Sequence, residues 1–572
     1  TLSGENTYTG ATNVNAGVLR INNASALGGT VAGTTVASGA QLELAGGITV
    51  TGETLTISGS GDNIGALQSQ SGANTWAGNV ILGADATRIG AIGSEDSLTI
   101  SGNISDGGSG FTLAVRNDAG TTILSGDNNT YGGETHVVVG TLQIGGGNNR
   151  LPTGTVLRVG NDTNVTTATF DLNGHNQEVA GLATDGSTMT RTVTNASATP
   201  STLTVNNSGN YSYSGLVTDN LALTKTGTGT LTLSGENTYT GATNVNAGVL
   251  RINNASALGG TAAGTTVADG ARIELAGGIT VSGESLTISG SGGNNRGALQ
   301  TQTGANTWAG NVTLGANNTR IGAVGAGTSL TVSGAIGDGG NNHALAIYND
   351  GGTTVLSGTN TYSGGTTVSN GILRITKNSA LGTGQTTVSV GAESVLTGGI
   401  TVSDQTIRIT GYGASGYGAL RSLDGYNVWD GPVYFEDSNS RVGAVNSDSA
   451  LEISGEIRDG TSNKVVTVRN NLGKTIFSGV NTYTGETRIY NGTLELGAHD
   501  SLPVGNPLLL GIGSLDPTFD LKGFNQTIGS LRSEGDGTHT ITNTGAFEST
   551  LTVTQNSDEV FDGKITNGAN PL

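Results

Sequence analysis

The sequence predicts an all-β fold: a right-handed parallel β-helix (β-solenoid) with about three short strands in each coil of about 23 residues, forming an elongated rod. Three observations support this fold class. The first 30 residues recur without change at residues 232–261, so the chain is a tandem array. Apolar and polar residues alternate in short runs rich in Thr, Val, Ile and Leu. Glycine, at 98 of 572 positions, separates these runs.

An Asn-Thr-Tyr step recurs along the chain and orders it into units. Its tyrosines are spaced by 123, 108, 123 and 121 residues: Tyr8, Tyr131, Tyr239, Tyr362 and Tyr483. Long units carry a tryptophan 67 to 69 residues after this tyrosine, and short units carry none. We therefore predict five units stacked in one continuous solenoid: 1–123 (long), 124–231 (short), 232–354 (long), 355–475 (long) and 476–572 (short and truncated).

A finer period appears within each unit. In the first unit, strand-like segments follow one another at steps of 22 to 25 residues, marked by Leu19, Leu42, Leu67, Ile89 and Leu113. Antiparallel hairpins, as in a meander or a propeller, would need tight two-residue turns at regular places. A coil of about 23 residues instead lets each strand pair with its equivalent one turn away, at about 4.8 Å. Alternate apolar residues then form ladders in the core, with Thr and Ser facing outward.

The glycines have a structural cause in such a coil. Each coil needs two or three sharp bends, and glycine adopts positive φ there without the steric penalty of a Cβ atom. Asparagine and aspartate tolerate the same conformation, and the pairs Asp106-Gly107 and Asn173-Gly174 lie between predicted strands. Disorder is the weaker interpretation of this glycine content, because 34% of the residues are hydrophobic and they alternate.

Charge and composition exclude several classes of protein. With 43 acidic and 24 basic residues the net charge is −19, which opposes binding to nucleic acid or to anionic membranes. The absence of cysteine excludes disulfides, cysteine-ligated metals and thiol nucleophiles. No run of 18 apolar residues occurs, so we predict no membrane-spanning helix in this segment. The first residue lies within a repeat, so we expect a segment of a longer exported protein.

Candidate catalytic chemistry was sought among the histidines and the acidic residues. None of the five histidines forms an HxH or HxxxH arrangement, and the copies replace His136 by Arg488 and His175 by Phe524. We therefore predict that the histidines are surface residues. The glycine-rich nonapeptide that binds calcium in some solenoids does not occur either. We predict no catalytic residue, no cofactor and no metal site.

The most unusual patch of acidic and aromatic residues lies in the third long unit, at residues 424–437. Glycoside hydrolysis needs two carboxyl groups about 5 to 10 Å apart, and aromatic rings can stack on sugars. The candidate glycan contacts are Tyr426, Trp429, Asp430, Tyr434 and Glu436. The alternative interpretation is a varied outer strand face with aromatic packing.

One family resemblance is carried by specific residues. The run LTKTGTGTLTLSGENTYTG at residues 223–241, followed by ATNVNAGVLRI, closely resembles the autotransporter-associated β-strand repeat of bacterial autotransporter passenger domains. The segments FDLNGHNQ at residue 170 and FDLKGFNQ at residue 519 resemble companion repeats of the same passengers. The resemblance covers nearly the whole chain. It implies a β-solenoid exported to the bacterial surface by the autotransporter route, and it is silent on biochemical activity.

We therefore expect a non-enzymatic structural or adhesive β-solenoid, acting outside the cell or at the bacterial cell surface as a stalk, an adhesin or a passenger segment. The expected partners are neighbouring repeats, other copies of the chain, surface glycans and host or cell receptors. Two alternatives stay open. One is a subunit of a self-assembling filament or sheath that forms through end-to-end or edge pairing. The other is a carbohydrate-active enzyme, a lyase or a glycosidase, on a β-helix scaffold.

Overall fold

The structure, a computed structural model, describes residues 1–161, 167–185 and 190–572. Within these ranges every regular element is a β-strand, and no helix there is long and apolar enough to cross a membrane. The chain divides into two compact units, Thr1–Glu274 and Leu275–Leu572.

The strands up to residue 276 are, in chain order, Thr12–Val14, Val18–Ile21, Thr34–Val36, Gln41–Ala45, Thr49–Val50, Leu55–Ile57, Leu67–Ser71, Ala73–Trp76, Val80–Leu82, Thr87–Ala91, Ser97–Ile100, Ile104–Ser105, Leu113–Leu124, Thr135–Ile144, Val156–Val159, Thr167–Asp171, Gln177–Val179, Gly181–Thr184, Thr190–Thr194, Ser201–Asn206, Tyr211–Tyr213, Leu216–Val217, Leu221–Thr226, Thr230–Leu233, Thr243–Val245, Val249–Ile252, Thr265–Val267 and Arg272–Ala276.

The strands after residue 276 are Thr280–Val281, Leu286–Ile288, Leu299–Thr303, Ala305–Trp308, Val312–Leu314, Thr319–Ala323, Ser329–Val332, Ile336–Gly337, Leu345–Leu356, Thr366–Ile375, Thr386–Val388, Ala392–Leu396, Thr401–Val402, Ile407–Ile409, Leu420–Ser422, Tyr426–Trp429, Val433–Phe435, Arg441–Ala444, Ala450–Ile453, Ile457–Asp459, Val466–Phe477, Thr487–Leu496, Pro507–Leu510, Pro517–Asp520, Gln526–Ile528, Ser530–Ser533, Thr540–Asn543, Leu551–Val553 and Lys564–Asn567.

These strands pair in parallel with their equivalents one coil away. Thr12 lies opposite Thr34, and Leu113 lies opposite Thr135. In each pair the two residues are 22 positions apart in the chain. Such spacing, with three strand stacks around the coil, is that of a parallel β-solenoid. The predicted fold class and the coil of about 23 residues are confirmed.

The core of the unit Thr1–Glu274 contains the predicted apolar ladder. The register places one buried side chain of each coil above the next, in the order Leu42, Leu67, Ile89, Val115 and Val137. Because side chains alternate across a strand, one inward set per strand excludes water along the whole stack.

In the unit Leu275–Leu572 three strand stacks carry the candidate site. One stack contains Ile407–Ile409, Val433–Phe435 and Ile457–Asp459. A second contains Tyr426–Trp429, Ala450–Ile453 and the second half of Val466–Phe477. A third contains Arg441–Ala444 and the first halves of Val466–Phe477 and Thr487–Leu496; the second half of Thr487–Leu496 continues the second stack. Outward residues in successive strands of one stack form a row on the surface.

The corners of the coils hold buried polar residues. Asn470 lies at the bend of the strand Val466–Phe477 and is fully buried. Its Oδ1 accepts a hydrogen bond from the Ala444 amide at 2.7 Å, and its Nδ2 donates to the Thr493 carbonyl at 2.8 Å. Thr475 Oγ1 donates to the same Oδ1 at 2.7 Å. The expectation that threonines face outward is therefore wrong for Thr475, because a buried asparagine needs that partner. Asn117 and Asn349 make the same contacts in the other long units.

The Asn-Thr-Tyr step links three coils in a similar way. Asn481 Oδ1 accepts from the Ile457 amide of the preceding coil at 2.7 Å. Its Nδ2 donates to the Ser501 carbonyl of the following coil at 2.6 Å. The buried Tyr483 hydroxyl lies 2.6 Å from Thr487 Oγ1. The motif thus satisfies backbone groups where the ladder of strand hydrogen bonds is interrupted.

Two of the predicted corners have the expected backbone. Gly107 has φ 63° and Asn173 has φ 48°. These values lie in the left-handed region, which glycine and asparagine adopt at low cost.

Candidate binding surface

The five candidate residues lie on two strand stacks and in the core. Tyr426 and Trp429 belong to the strand Tyr426–Trp429, and Tyr434 lies in the next strand, Val433–Phe435. The chain bends between the two strands at Gly431. The predicted patch is therefore divided among different surroundings, although its residues are close in sequence.

Trp429 is a core residue. Its side chain is completely buried, and its Nε1 donates to the Gln405 carbonyl at 2.9 Å. Trp76 and Trp308, at the same place in the other long units, are also completely buried. The expectation that Trp429 contacts a glycan is wrong, because alternation in its strand turns Tyr426 outward and Trp429 inward.

Tyr434, Glu436 and Asp430 are exposed to different degrees and have partners within the chain. The Arg408 guanidinium carbon lies 4.2 Å from the centroid of the Tyr434 ring, a cation–π contact. Arg408 Nη1 is also 2.5 Å from Glu436 Oε1. Asp430 Oδ1 accepts from Ser454 Oγ at 2.8 Å. The surface around these residues therefore consists of paired charges. Arg408 covers one face of the Tyr434 ring.

Tyr426 lies beside an open groove on the second strand stack. We call it the Tyr426 groove; it has a volume of about 290 Å³ and is lined by Tyr426, Asp448, Leu472, Lys474, Thr493 and Glu495, among others. The register places Tyr426, Ala450, Lys474 and Thr493 in one row across four coils. The groove is therefore formed by residues of successive coils that are aligned by the strand register.

The groove combines apolar and charged groups. Tyr426 is 50% exposed and Leu472 is 69% exposed. The Tyr426 hydroxyl donates to Glu452 Oε2 at 2.5 Å. Partial burial raises the pKa of Tyr426, and the hydrogen bond to the Glu452 carboxylate raises it further. Lys474 Nζ donates to the two oxygens of Glu495 at 3.1 and 3.0 Å. Such a surface offers an aromatic ring beside an oriented ion pair.

Leu472, Lys474 and Glu495 come from later coils and are not among the residues predicted from the sequence. A signal for two of them exists in the alignment of the long units. Leu472 stands where the other copies have Ala119 and Gly351, and Lys474 stands where they have Thr121 and Thr353. Tyr426 likewise stands where they have Ala73 and Ala305. Three copy-specific residues thus meet in one groove.

Within residues 1–161, 167–185 and 190–572, no group of three or more His, Asp or Glu side chains is placed so that it could hold a metal ion. His539 is buried and its Nδ1 lies 3.0 Å from Asp562 Oδ1. The prediction that the histidines are surface residues is therefore wrong for His539. His136 is partly buried, and its Nε2 is 2.6 Å from the Gly160 carbonyl.

Comparison with known families identifies the repeated element. Five segments match the passenger-associated-transport-repeat: residues 1–21, 115–144, 223–252, 347–375 and 470–496. Each match contains one Asn-Thr-Tyr step, so the repeat coincides with the asparagine and tyrosine contacts described above.

A second comparison, with curated proteins, shows a similarity to an autotransporter adhesin. The chain is 29% identical over 497 residues to the adhesin BmaC autotransporter of Brucella suis biovar 1 (strain 1330). The alignment covers 69% of this chain and 13% of that protein. The chain thus resembles autotransporter passenger domains, as its sequence predicted. Both findings indicate a location at the bacterial cell surface or outside the cell.

Proposed function

We propose that this chain is a non-enzymatic adhesive segment of a surface passenger, and that it presents the Tyr426 groove to surface glycans or to host receptors. Its repeats and its similarity to an autotransporter adhesin support the class of function. The groove supports the location of the contact. It lies on a solenoid whose core residues are alike in all long units.

The observation that carries this proposal is the difference between copies. The third long unit keeps the buried tryptophan and the corner asparagine of its sister units, but it changes the outward row. Tyr426, Leu472 and Lys474 replace small or polar residues there. A constant core with a variable outer row is typical of a scaffold that displays a binding surface.

The groove has the chemistry that a sugar ring requires. A pyranose has an apolar C–H face and a rim of hydroxyl groups. The exposed Tyr426 ring and the Leu472 side chain offer apolar area, and the ion pair of Lys474 and Glu495 offers both donors and acceptors.

The test restores the residues of the sister units. The triple variant Y426A/L472A/K474T carries side chains that the first long unit already holds at these places, and a circular dichroism spectrum and thermal melt that match the wild type are required of it. We expect the wild-type chain to bind members of a printed array of oligosaccharides or cultured host cells, and the triple variant to lose that binding. Y434T is the matched control. It replaces an aromatic residue on the neighbouring stack by threonine, the residue that the second long unit has at this place, Thr313.

The outcome decides between the two stacks. Loss of binding in Y434T with retention in the triple variant would contradict the groove and move the contact to the row of Tyr434 and Glu436. Release of reducing or unsaturated sugars from common polysaccharides by the wild-type chain would contradict the non-enzymatic assignment.

A further inference from the structure

The third strand stack of the unit Leu275–Leu572 carries a second surface, distinct from the Tyr426 groove. Two arginines and three tyrosines converge there from four coils. We call this the arginine–tyrosine cluster: Tyr412, Tyr417, Arg441, Arg469 and Tyr490.

The two arginines lie close together without a carboxylate. Arg441 Nη1 and Arg469 Nη1 donate to the same carbonyl, that of Gly416, at 3.3 and 3.2 Å. Within the described part of the chain, no aspartate or glutamate forms an ion pair with either guanidinium. The Nε of Arg469 is buried and has no hydrogen-bond partner among the described residues. Two like charges therefore share one neutral acceptor, which leaves positive charge uncompensated.

The electrostatic environment agrees with this geometry. Burial lowers the pKa of Arg441, and the positive charge of Arg469 lowers it further. An anion placed between them would relieve the repulsion.

Tyrosine rings flank both guanidinium groups. The Arg441 carbon lies 5.3 Å from the ring centroids of both Tyr412 and Tyr490. The Arg469 carbon lies 5.2 Å from the Tyr417 ring. Tyr412 is 52% exposed, so part of its ring is open to a ligand. Aromatic area next to fixed cations suits a ligand that has both anionic groups and apolar faces.

Buried contacts hold the cluster in place. The turn between Tyr412 and Tyr417 is anchored by Glu393, which is fully buried and accepts from the Ser415 amide at 2.9 Å. The charge of Glu393 is balanced by Arg421, whose Nε donates to it at 3.0 Å. The cluster is thus organised before a ligand arrives, which lowers the entropy cost of binding.

The sister copies show which parts are specific to this unit. Arg88 and Arg116 occupy the places of Arg441 and Arg469 in the first long unit, and burial and the charge of Arg116 again lower the pKa of Arg88. That unit has Ser60 where the third long unit has Tyr412. The arginine pair therefore recurs in the first long unit, whereas the second has Tyr348 at the place of Arg469; the exposed tyrosine is an addition of the third long unit.

We propose that the arginine–tyrosine cluster binds an anionic polysaccharide, with its sulfate or carboxylate groups between Arg441 and Arg469 and a sugar ring against Tyr412. Guanidinium groups pair with both kinds of anion in a planar geometry. This proposal is independent of the Tyr426 groove, which lies on another strand stack.

A thin polymer fits the charge of the whole chain better than a membrane or a nucleic acid does. The net charge of −19 repels any large anionic surface that meets the chain broadly. Electrostatic interactions between exposed charges decay over about 8 Å at physiological salt, so a single polysaccharide strand senses mainly the local cluster.

The experiment measures binding of the full 572-residue chain to immobilised heparin, polygalacturonate, neutral dextran and poly-L-glutamate at about 0.15 M salt. We expect binding to heparin or polygalacturonate and none to dextran. R441Q/R469Q should weaken that binding at least about tenfold, and Y412S, which restores the Ser60 side chain of the first unit, should weaken it about threefold. The control R408Q/R458Q removes two arginines from the stack of Tyr434 and should stay within about twofold.

Heparin alone would assign a sulfated ligand, and polygalacturonate alone a carboxylated one. The proposal is overturned if the wild-type chain binds neither, or if the control loses as much as R441Q/R469Q. It is also overturned if poly-L-glutamate binds as tightly as the polysaccharides, because the surface would then select acidic protein segments. Matching circular dichroism spectra and thermal melting curves of the variants exclude loss of fold as the cause.

Discussion

The two identical copies at residues 1–30 and 232–261 have different environments in the structure. Tyr8 is 40% exposed in the first copy, whereas its equivalent Tyr239 is fully buried in the second. Val18 is 55% exposed, whereas Val249 is 3% exposed. The amino acids are the same, and the second copy pairs with the strands Leu221–Thr226 and Thr230–Leu233 of the preceding coil.

The contacts separate into those that both copies keep and those that only the second has. The hydroxyl of the tyrosine lies 2.5 Å from the threonine four residues later in both copies, at Thr12 and at Thr243. The strand Val249–Ile252 pairs with Thr230–Leu233 of the preceding coil. Local contacts and contacts to the following coil thus repeat with the sequence, and contacts to a preceding coil depend on what lies there. Burial in a solenoid is a property of the neighbours.

The largest expected effect tests this difference in burial. Y239A removes a fully buried ring and should lower the local free energy of unfolding by about 3 to 5 kcal/mol. Y8A removes a residue that is 40% exposed and should cost less, about 1 to 2 kcal/mol. Native-state hydrogen exchange measures both, in peptides that extend to Val31 or Ala262, where the two copies first differ. Equal losses would contradict the neighbour effect.

The next largest effect concerns the asparagine of the Asn-Thr-Tyr step. Asn237 accepts from the Val217 amide at 2.8 Å and donates to the Ala257 carbonyl at 2.6 Å. N237A leaves two buried backbone groups unpaired and should cost about 2 to 4 kcal/mol. Asn6 donates to the Ala26 carbonyl at 2.7 Å, so N6A should cost about 1 kcal/mol. Hydrogen exchange of the Val217 amide should accelerate in N237A alone, and an unchanged rate would rule out this bond.

A smaller effect isolates the tyrosine hydroxyl. Y239F removes the hydrogen bond to Thr243, whose side chain is buried, and should cost about 1 kcal/mol. Y8F removes the same bond where water can replace it, and should change stability by less than about 0.5 kcal/mol. Urea unfolding followed by the same peptides measures both variants. A larger loss in Y8F than in Y239F would show that the local bond, and not burial, governs the step.

The smallest effect at neutral pH concerns Lys225, a buried residue of the coil before the second copy. Its Nζ donates to the carbonyls of Thr226, Gly227 and Ala247. Burial lowers its pKa to about 8, from 10.5 in an exposed lysine. K225M removes a poorly solvated charge and also leaves these carbonyls without a donor, so the two effects oppose each other near pH 7.

The pH dependence of stability separates the effect of the Lys225 charge from the effect of its hydrogen bonds. The folded protein loses the Lys225 proton near pH 8, and the unfolded chain keeps it to about pH 10.5. The unfolded state therefore binds more protons within this window, and the wild-type stability should rise with pH relative to K225M between pH 8 and 10.5. Below pH 8 the difference should be constant. Thermal melts of both proteins from pH 7 to about 10.5 measure it, and parallel curves throughout would contradict a buried charged lysine.

The candidate site was predictable in part. Tyr426 was recognised because it departs from its sister units, and the structure places it beside a groove. Trp429 is a predicted glycan contact because it lies among acidic and aromatic residues, and its strand does not show a simple alternation: Asn427 faces inward and Val428 is partly exposed. A buried asparagine that binds the Ile400 amide at 2.9 Å breaks the rule that inward residues are apolar. The recurrence of tryptophan in every long unit was the available signal for a core residue.

The sequence by itself determined the coil length, the parallel ladders and the positions of the corners, because each follows from a period that recurs in one chain. Only the tertiary structure decided which outward residues meet in the Tyr426 groove and in the arginine–tyrosine cluster. The physical reason is that a row on the solenoid joins residues more than 20 positions apart, such as Tyr426, Ala450 and Lys474. Their alignment depends on the register between coils, and local patterns specify only which side of its own strand a residue faces.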